Sequence, residues 1–231
     1  FRGANAVGYT SYPDNVVLEF CRMASACGID VFRIFDAMND VRNLETSIRA
    51  VKATGKHAQG TICYTTSPVH TIAAFVDLGK RLVDLGSDSI AIKDMAGLLT
   101  PHATGELVKA LKAALPLPIF LHSHATSGLA PMCQMKAIEN GVDHIDTAIS
   151  SFGGGTSHPA TESMVAALKG TPYDTGLDLG LLQEIAKYFW EVRKHYHQFE
   201  SEFTREDVSV QINQVPGGMM SNLANQLRDQ G

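Results

Sequence analysis

A chain of 231 residues with 45% hydrophobic and 19% charged side chains is long enough to bury one large α/β domain or two small ones. Its net charge of −5 gives no electrostatic footprint for nucleic acid or an anionic membrane, and no apolar run approaches the roughly 18 to 20 residues that a membrane insertion needs. Neither a basic-then-apolar leader nor CxxC spacing is visible; Cys21, Cys27, Cys63 and Cys133 suit reduced thiols in a cytoplasmic compartment better than a disulfide framework.

Along the chain one pattern repeats: a short apolar, β-branched run, a polar or glycine-containing loop, then an amphipathic helix. The strand candidates are residues 31–36, 58–64, 89–94, 119–124 and 144–150. Their starts lie about 25 to 30 residues apart, the length of one βα unit. Asp14 can cap a helix that runs to Cys27 before Gly28, and Asp40 or Asn43 can open the next, which ends near Gly55. Thr100-Pro101 pairs a cap with a first-turn proline, and Pro116 and Pro118 close that unit ahead of the fourth strand. A long helix is expected over residues 179–199, ending in Arg193-Lys194-His195-Tyr196-His197, and Val215-Pro216-Gly217-Gly218-Met219 reads as a turn before a final helix.

Strict β/α alternation means a parallel sheet buried on both faces, either doubly wound or closed. Polar groups recur at the strand ends: Asp36, Tyr64, Lys93-Asp94, His122 with His124, and Ser150-Ser151. Gathering them at one mouth is what a (β/α)8 barrel does, although strand ends are also polar simply because loops are wet. The expected fold is therefore α/β, a TIM-type barrel. Five units are fewer than eight, and Phe1-Arg2-Gly3-Ala4-Asn5 reads as the end of a strand, so a partial barrel lacking its first strands is expected. Residues 1–199 would form the barrel portion and 200–231 the start of a helical extension.

The residues with most chemistry are in Ile119-Phe120-Leu121-His122-Ser123-His124. Side chains two apart on a strand share a face, so His122 and His124 present two imidazoles together. Divalent ions such as Zn²⁺, Mn²⁺ or Co²⁺ accept imidazole nitrogen alongside carboxylate-type oxygen. Two strand-end histidines satisfied by backbone carbonyls would explain the pair equally well. Lys93 lies inside a strand, where a lysine is costly unless paired with a carboxylate such as Asp94 or Asp36, or modified. A desolvated neutral amine can add CO₂, and the resulting carbamate supplies an oxygen ligand. Amidohydrolase-type barrels carry HxH before such a lysine; here Lys93 precedes His122 by 29 positions, which argues against a hydrolase. His57, His70, His102, His144, His158, His195 and His197 read as surface residues or as neighbours of a site rather than as its ligands.

Five ordered motifs, Arg2-Gly3-Ala4-Asn5-Ala6-Val7-Gly8-Tyr9, Val31-Phe32-Arg33-Ile34-Phe35-Asp36-Ala37-Met38-Asn39-Asp40, Ile92-Lys93-Asp94-Met95-Ala96-Gly97, Leu121-His122-Ser123-His124 and Pro216-Gly217-Gly218, together resemble the carboxyltransferase domain of biotin-dependent enzymes. That family includes pyruvate carboxylase, the oxaloacetate decarboxylase α subunit and the pyruvate-using transcarboxylase subunit. The resemblance runs over essentially the whole chain. The stretch from His57 to Thr71 is closer to the decarboxylases, the transcarboxylases and the two-subunit pyruvate carboxylases, while Gly155-Thr156-Ser157-His158-Pro159 is closer to pyruvate carboxylases in general.

The resemblance implies carboxyl transfer between carboxybiotin and pyruvate, or the reverse from oxaloacetate. It implies a divalent metal (Zn, Mn or Co) held by carbamylated Lys93, His122 and His124, with an aspartate expected ahead of Phe1. Arg2 would bind the keto-acid, Tyr9 would line the biotin pocket, Met95 would line the substrate pocket, and Thr156 would shuttle a proton between substrate and biotin. For Gly153-Gly154-Gly155-Thr156 the residues alone leave open a flexible loop or a phosphate cradle. Arg33 reads as structural. The partners implied are a biotin carboxyl carrier module, a biotin carboxylase subunit and, at full length, further copies of the chain. The rivals are a metal-dependent acyl-CoA lyase or isopropylmalate-synthase-like enzyme, and a non-catalytic scaffold piece that binds metal weakly and turns over little.

Overall fold

The computed structural model describes residues 1–200, 205–215, 219 and 226–227, so the Pro216-Gly217-Gly218 motif and most of the final helix expected after it lie outside the described residues. The chain divides into two compact units: Phe1–Lys93, Glu106–Leu121 and Asn140–His144 form the first, and Asp94–Gly105, His122–Glu139 and Ile145–Gly231 the second.

The first unit holds a parallel sheet in the order β1 (Val31–Ile34), β2 (His57–Cys63), β3 (Ser89–Asp94), β4 (Ile119–Ser123) and β5 (His144–Ile145), the last two entering it through residues 119–121 and 144. Each strand is added beside its predecessor. That sequential order belongs to a TIM-type (β/α)8 barrel; a doubly wound sheet reverses at a switch point. In register, Val31 faces His57 and Gln59 faces Ser89. Ile90, Ala91 and Ile92 are all fully buried, as consecutive residues can be only when both faces of a sheet are covered. Helices α1 (Asp14–Ala26), α2 (Arg42–Ala53) and α3 (Ile72–Asp84) contribute Val17, Leu44, Ile48, Val51, Phe75 and Leu82 to this core.

A short repeat ties helices to strands. Gly28-Ile29-Asp30, Gly86-Ser87-Asp88 and Gly141-Val142-Asp143 each stand just before a strand, with the glycine at φ +103°, +94° and +86°. An L side chain is strained at such angles, so glycine lets the chain leave the helix there. The aspartate two residues on then secures a strand. Asp88 accepts from Ala58 N at 2.8 Å and Lys52 Nζ at 2.6 Å; Asp143 accepts from Ile119 N at 2.7 Å and Lys112 Nζ at 2.8 Å. Asp30 accepts from Lys56 Nζ at 2.6 Å.

A polar layer crosses the same sheet. Arg33 Nε donates to Gln59 Oε1, Gln59 Nε2 donates to Ser89 Oγ at 3.0 Å, and His57 Nε2 shares that hydroxyl at 2.7 Å. Buried polar groups must find partners inside the protein, and here they do so across three strands.

The second unit contains the start of α4 (Pro101–Ala114), then α5 (Ala130–Glu139), α6 (Thr161–Leu168) and α7 (Leu179–Lys194). Thr100 Oγ1 caps α4 by accepting from Ala103 N at 3.3 Å, with Pro101 as the first helical residue. Cys133, Ala137, Met164, Val165 and Leu168 are buried in this unit.

Several boundaries differ from expectation: β1 ends at Ile34 rather than Asp36, and Val41, not Asp40 or Asn43, holds the N-cap of α2. Asp14 is the first residue of α1, not its cap; extended Pro13 holds the N-cap position and its carbonyl accepts from Val16 N and Val17 N. The fifth strand stops at Ile145 because Ala148 pairs with Ala160, so Ser150 and Ser151 lie in a 3-10 turn (Ser150–Phe152). The last long helix ends at Lys194, where Tyr196 N turns back to Arg193 O, and a separate 3-10 turn covers His197–Phe199. Arg193 Nη1 donates to Ser151 O at 2.6 Å and Nε to Glu200 Oε1, so its side chain fastens the helix end.

Candidate active site

In the first unit, the segment after Phe1 is moulded by α2. Ala4 N donates to Asn43 Oδ1 at 3.1 Å, and a Cβ on Gly3 (φ +52°) would collide with the Asn43 carbonyl. That close approach explains a glycine between Arg2 and Ala4. Arg2 Nη1 donates to Gly8 O at 3.1 Å, and its guanidinium lies 4.4 Å from the ring centre of Tyr9, which is 77% exposed. Cation and ring are therefore held together at the surface of this unit.

Lys93 is half-buried, with Nζ 4.9 Å from the Phe35 ring centre, and it stands opposite Cys63 in the β2–β3 register. The Cys63 thiol is pushed up to about 12, chiefly by burial, with Lys93 pulling the other way. Asp36 serves the loop that follows β1. Its carboxylate accepts from Met38 N at 3.1 Å, Asp40 N at 2.9 Å and Asn43 Nδ2 at 2.9 Å. Asn39, at φ +56°, clamps Cys63 by donating to its carbonyl and accepting from its N–H, each at 2.8 Å.

The second unit opens with Asp94, whose buried carboxylate accepts from Leu98 N at 2.8 Å, Leu99 N at 3.0 Å and Ser123 Oγ at 3.1 Å. Burial raises its pKa despite those bonds. The bonds shape the Met95-Ala96-Gly97 turn and leave Met95 half-buried.

His122 and His124 lie with ring centres 5.2 Å apart, as the strand spacing predicts. Nδ1 of His122 is 2.6 Å from Asp146 Oδ2, and Nδ1 of His124 is 2.6 Å from the Thr156 carbonyl oxygen. Both partners are acceptors, so Nδ1 is the protonated nitrogen in each ring and the lone pair of the neutral imidazole is on Nε2. Metal-binding histidines are commonly oriented this way, by an oxygen acceptor on the far nitrogen. His158 adds a third imidazole, its ring centre 4.3 Å from that of His122 and 4.5 Å from that of His124. One ring nitrogen from each of the three lies within 4.8 Å of the others, a donor set that suits a borderline divalent metal.

The glycine-rich segment is an ordered turn. Gly154 and Gly155 adopt φ +78° and +52°, Ser157 N donates to Gly154 O, and Gly154 N donates to His158 O. The segment is also laced to the strand end, since Ala125 N donates to Ser157 O at 2.7 Å and His158 Nδ1 to Ser123 O at 2.9 Å. Thr156 is thereby fixed beside His124 through its main chain.

The second unit thus brings together His122, His124 and Thr156, while the first brings together Arg2 and Tyr9 and separately holds Lys93. Sequence reasoning did not select Asp146 and placed His158 outside the ligands. Asp146 could have been found as the first polar residue after the fifth strand, had that strand been ended two residues in.

A family model described as HMGL-like matches residues 17–188. The chain is 58% identical over 231 residues to the B subunit of pyruvate carboxylase from Methanocaldococcus jannaschii, covering 100% of this chain and 41% of that protein. It is 50% identical over 232 residues to the methylmalonyl-CoA carboxyltransferase 5S subunit of Propionibacterium freudenreichii subsp. shermanii, covering 100% of this chain and 46% of that one. Among solved structures, the carboxyl transferase domain of Rhizobium etli pyruvate carboxylase with pyruvate superposes with a TM-score of 0.96 at 42% identity, over 100% of this chain and 40% of the other. The chain therefore spans less than half the length of these relatives. With the match extending from α1 to α7, and the parallel β/α order and strand-end imidazoles in place, the chain belongs to the HMGL-like family.

Proposed function

We propose that this chain carries the keto-acid and metal site of a biotin-dependent carboxyltransferase, moving a carboxyl group between carboxybiotin and pyruvate, or in reverse from oxaloacetate. The observation that carries the reading is the imidazole pair, His122 and His124, each fixed through Nδ1 so that Nε2 is the donor. It is supported by the kinship to two carboxyltransferase subunits and to a carboxyl transferase domain solved with pyruvate.

His122, His124 and carbamylated Lys93 are proposed as protein ligands of a zinc, manganese or cobalt ion. Such an ion, when bound, supplies positive charge beside the keto oxygen where the enolate's negative charge develops. Arg2, held by Gly8 O and Tyr9, offers the guanidinium that binds the substrate carboxylate. Tyr9 is assigned to the biotin pocket and Met95 to the wall beside the substrate. The Thr156 hydroxyl is assigned the proton relay, since a hydroxyl can accept one proton while giving another; that assignment rests on the motif, whereas its carbonyl holds His124.

Residues 1–199 are assigned to the barrel portion and those from 200 to a helical extension. A biotin carrier module and a biotin carboxylase subunit are the proposed partners, in a homo-oligomer at full length. A cytoplasmic location is proposed, in keeping with four free cysteines. Among the described residues no helix is long and apolar enough to cross a membrane.

The test is decarboxylation of oxaloacetate by the full-length protein with free biotin present, together with the mass of the Lys93 peptide. Biotin-stimulated decarboxylation and a carbamate-sized mass increment on Lys93 are expected. Cleavage of an acyl-CoA substrate, with no effect of biotin, would instead establish the lyase rival.

A further inference from the structure

We propose that Gln211 is a positioning residue for carboxyl transfer: it holds the Gly97 carbonyl, and through it the Met95-Ala96-Gly97 turn. The inference rests on the reading of Met95 as part of the wall beside the keto-acid, and it adds a residue that neither the motifs nor the resemblance selected.

The turn is fastened at both ends. At its start the Asp94 carboxylate accepts from Leu98 N, Leu99 N and Ser123 Oγ. At its close Gly97, at φ +71°, lies so near the end of β4 that an added Cβ would stand 2.9 Å from His124 O and 3.3 Å from Ser127 N. The Gly97 carbonyl then accepts from Ser127 Oγ at 2.7 Å and from Gln211 Nε2 at 2.9 Å. A carbonyl oxygen offers two lone pairs, and these two donors use both. Because that oxygen can only accept, Gln211 has to present the nitrogen end of its amide.

Gln211 reaches this carbonyl from 114 positions away, on a short helix α8 (Val210–Asn213). Its segment is seated on the loop after β4: Asp207 N donates to Thr126 O at 2.7 Å, the Glu206 side chain lies against Gly128, and Val210 is buried while Val208 and Ile212 stay exposed. Val210 and Gln211 therefore do different things. Burial of Val210 holds the segment down without direction, whereas the bond from Gln211 orients one particular carbonyl, and a long side chain gives up rotamer freedom to make it. The turn so oriented begins with Met95. Reaction rates respond to such placement, since a shift of about 1 Å in a positioning group can cost ~10²-fold.

The experiment uses the full-length protein and follows biotin-stimulated decarboxylation of oxaloacetate, with kcat and KM determined separately. Gln211→Leu and Gln211→Glu keep the side chain's size and lose the donor, whereas Gln211→Lys keeps a donor at similar reach. The first two should lower kcat by ~10-fold or more, and the lysine variant should stay within about threefold of wild type. Ser127→Ala removes the other donor on the same carbonyl and should also lower kcat; combined with Gln211→Leu, the effect should differ from the product of the two single effects. Amide exchange at Leu98 and Leu99 gives a readout independent of turnover, and it should quicken in Gln211→Leu but not in Gln211→Lys. A bond that serves stability alone would lower the melting temperature and leave kcat and KM of the folded enzyme at wild-type values; that result, unchanged exchange, or a strictly multiplicative double variant overturns the proposal. Absence of biotin-stimulated turnover in the wild type would instead sink the carboxyltransferase reading, and this proposal with it.

Discussion

His122 and His124 depend on neighbours that fix which nitrogen each ring offers. Removing the Asp146 carboxylate by Asp146→Ala takes away the acceptor on His122 Nδ1, and a drop of ~10- to 100-fold in metal affinity is expected by chelator competition. Asp146→Asn, which can still present an oxygen, should lose less. His122→Ala should empty the site, read as metal content per chain. Thr156→Ala separates two functions of one residue. The carbonyl that holds His124 survives the substitution, so metal content should stay at the wild-type level. Carboxyl transfer should fall by ~10²-fold or more with the relay hydroxyl gone; unimpaired transfer would remove Thr156 from the mechanism. The paired imidazoles were legible because a spacing of two on a strand is a local property. Asp146 was not, because it reaches His122 across 24 positions.

At the level of elements, the glycine and aspartate ahead of β3 and β5 act as a hinge and a clasp. Partial burial alone would raise the Asp88 and Asp143 carboxyls, but Lys52 and Ala58 N, and Lys112 and Ile119 N, hold both below the ordinary 3.8. A folded pKa lower than the unfolded one means stability that is present above the unfolded value and lost as pH falls through the folded one. Asp88→Ala and Asp143→Ala should each cost about 1 kcal/mol near neutrality, and the loss should shrink in acid, as followed by denaturant titration at several pH values. Gly97 is a second sensitive position. At φ +71° its Cβ would stand 2.9 Å from the His124 carbonyl oxygen, so Gly97→Ala should destabilise by about 1–3 kcal/mol and disturb the imidazole pair. Thermal melting and metal content check the two effects separately. Helix and strand periods were readable along the chain, and the boundaries that missed did so at tertiary ties. The Arg193 bond to Ser151 spans 42 positions, and the Ala148 bridge to Ala160 takes the chain away from β5.

For the molecule as a whole, thiol chemistry offers a direct check on the packing. Cys21, Cys63 and Cys133 are buried, and burial pushes their pKa values up to about 11, 12 and 11, whereas Cys27 is exposed. Iodoacetamide at pH 8 should therefore label Cys27 in the native protein and all four cysteines after denaturation, as peptide mass mapping would show. Rapid native labelling of Cys63 would contradict the burial of β2. The sequence by itself determined the βα repeat, the parallel sheet, the kinship to carboxyltransferases and the imidazole pair, because hydrophobic period, residue type and short spacing are all written locally. Tertiary structure decided which acceptor each Nδ1 meets, that Asp146 and His158 lie beside the pair, and that Asp36 serves a turn. Those outcomes rest on hydrogen bonds between residues such as His124 and Thr156, 32 positions apart, or His158 and Ser123, 35 apart. Folding has to bring such partners within about 3 Å before either has a defined role, and no run of neighbouring residues encodes that distance.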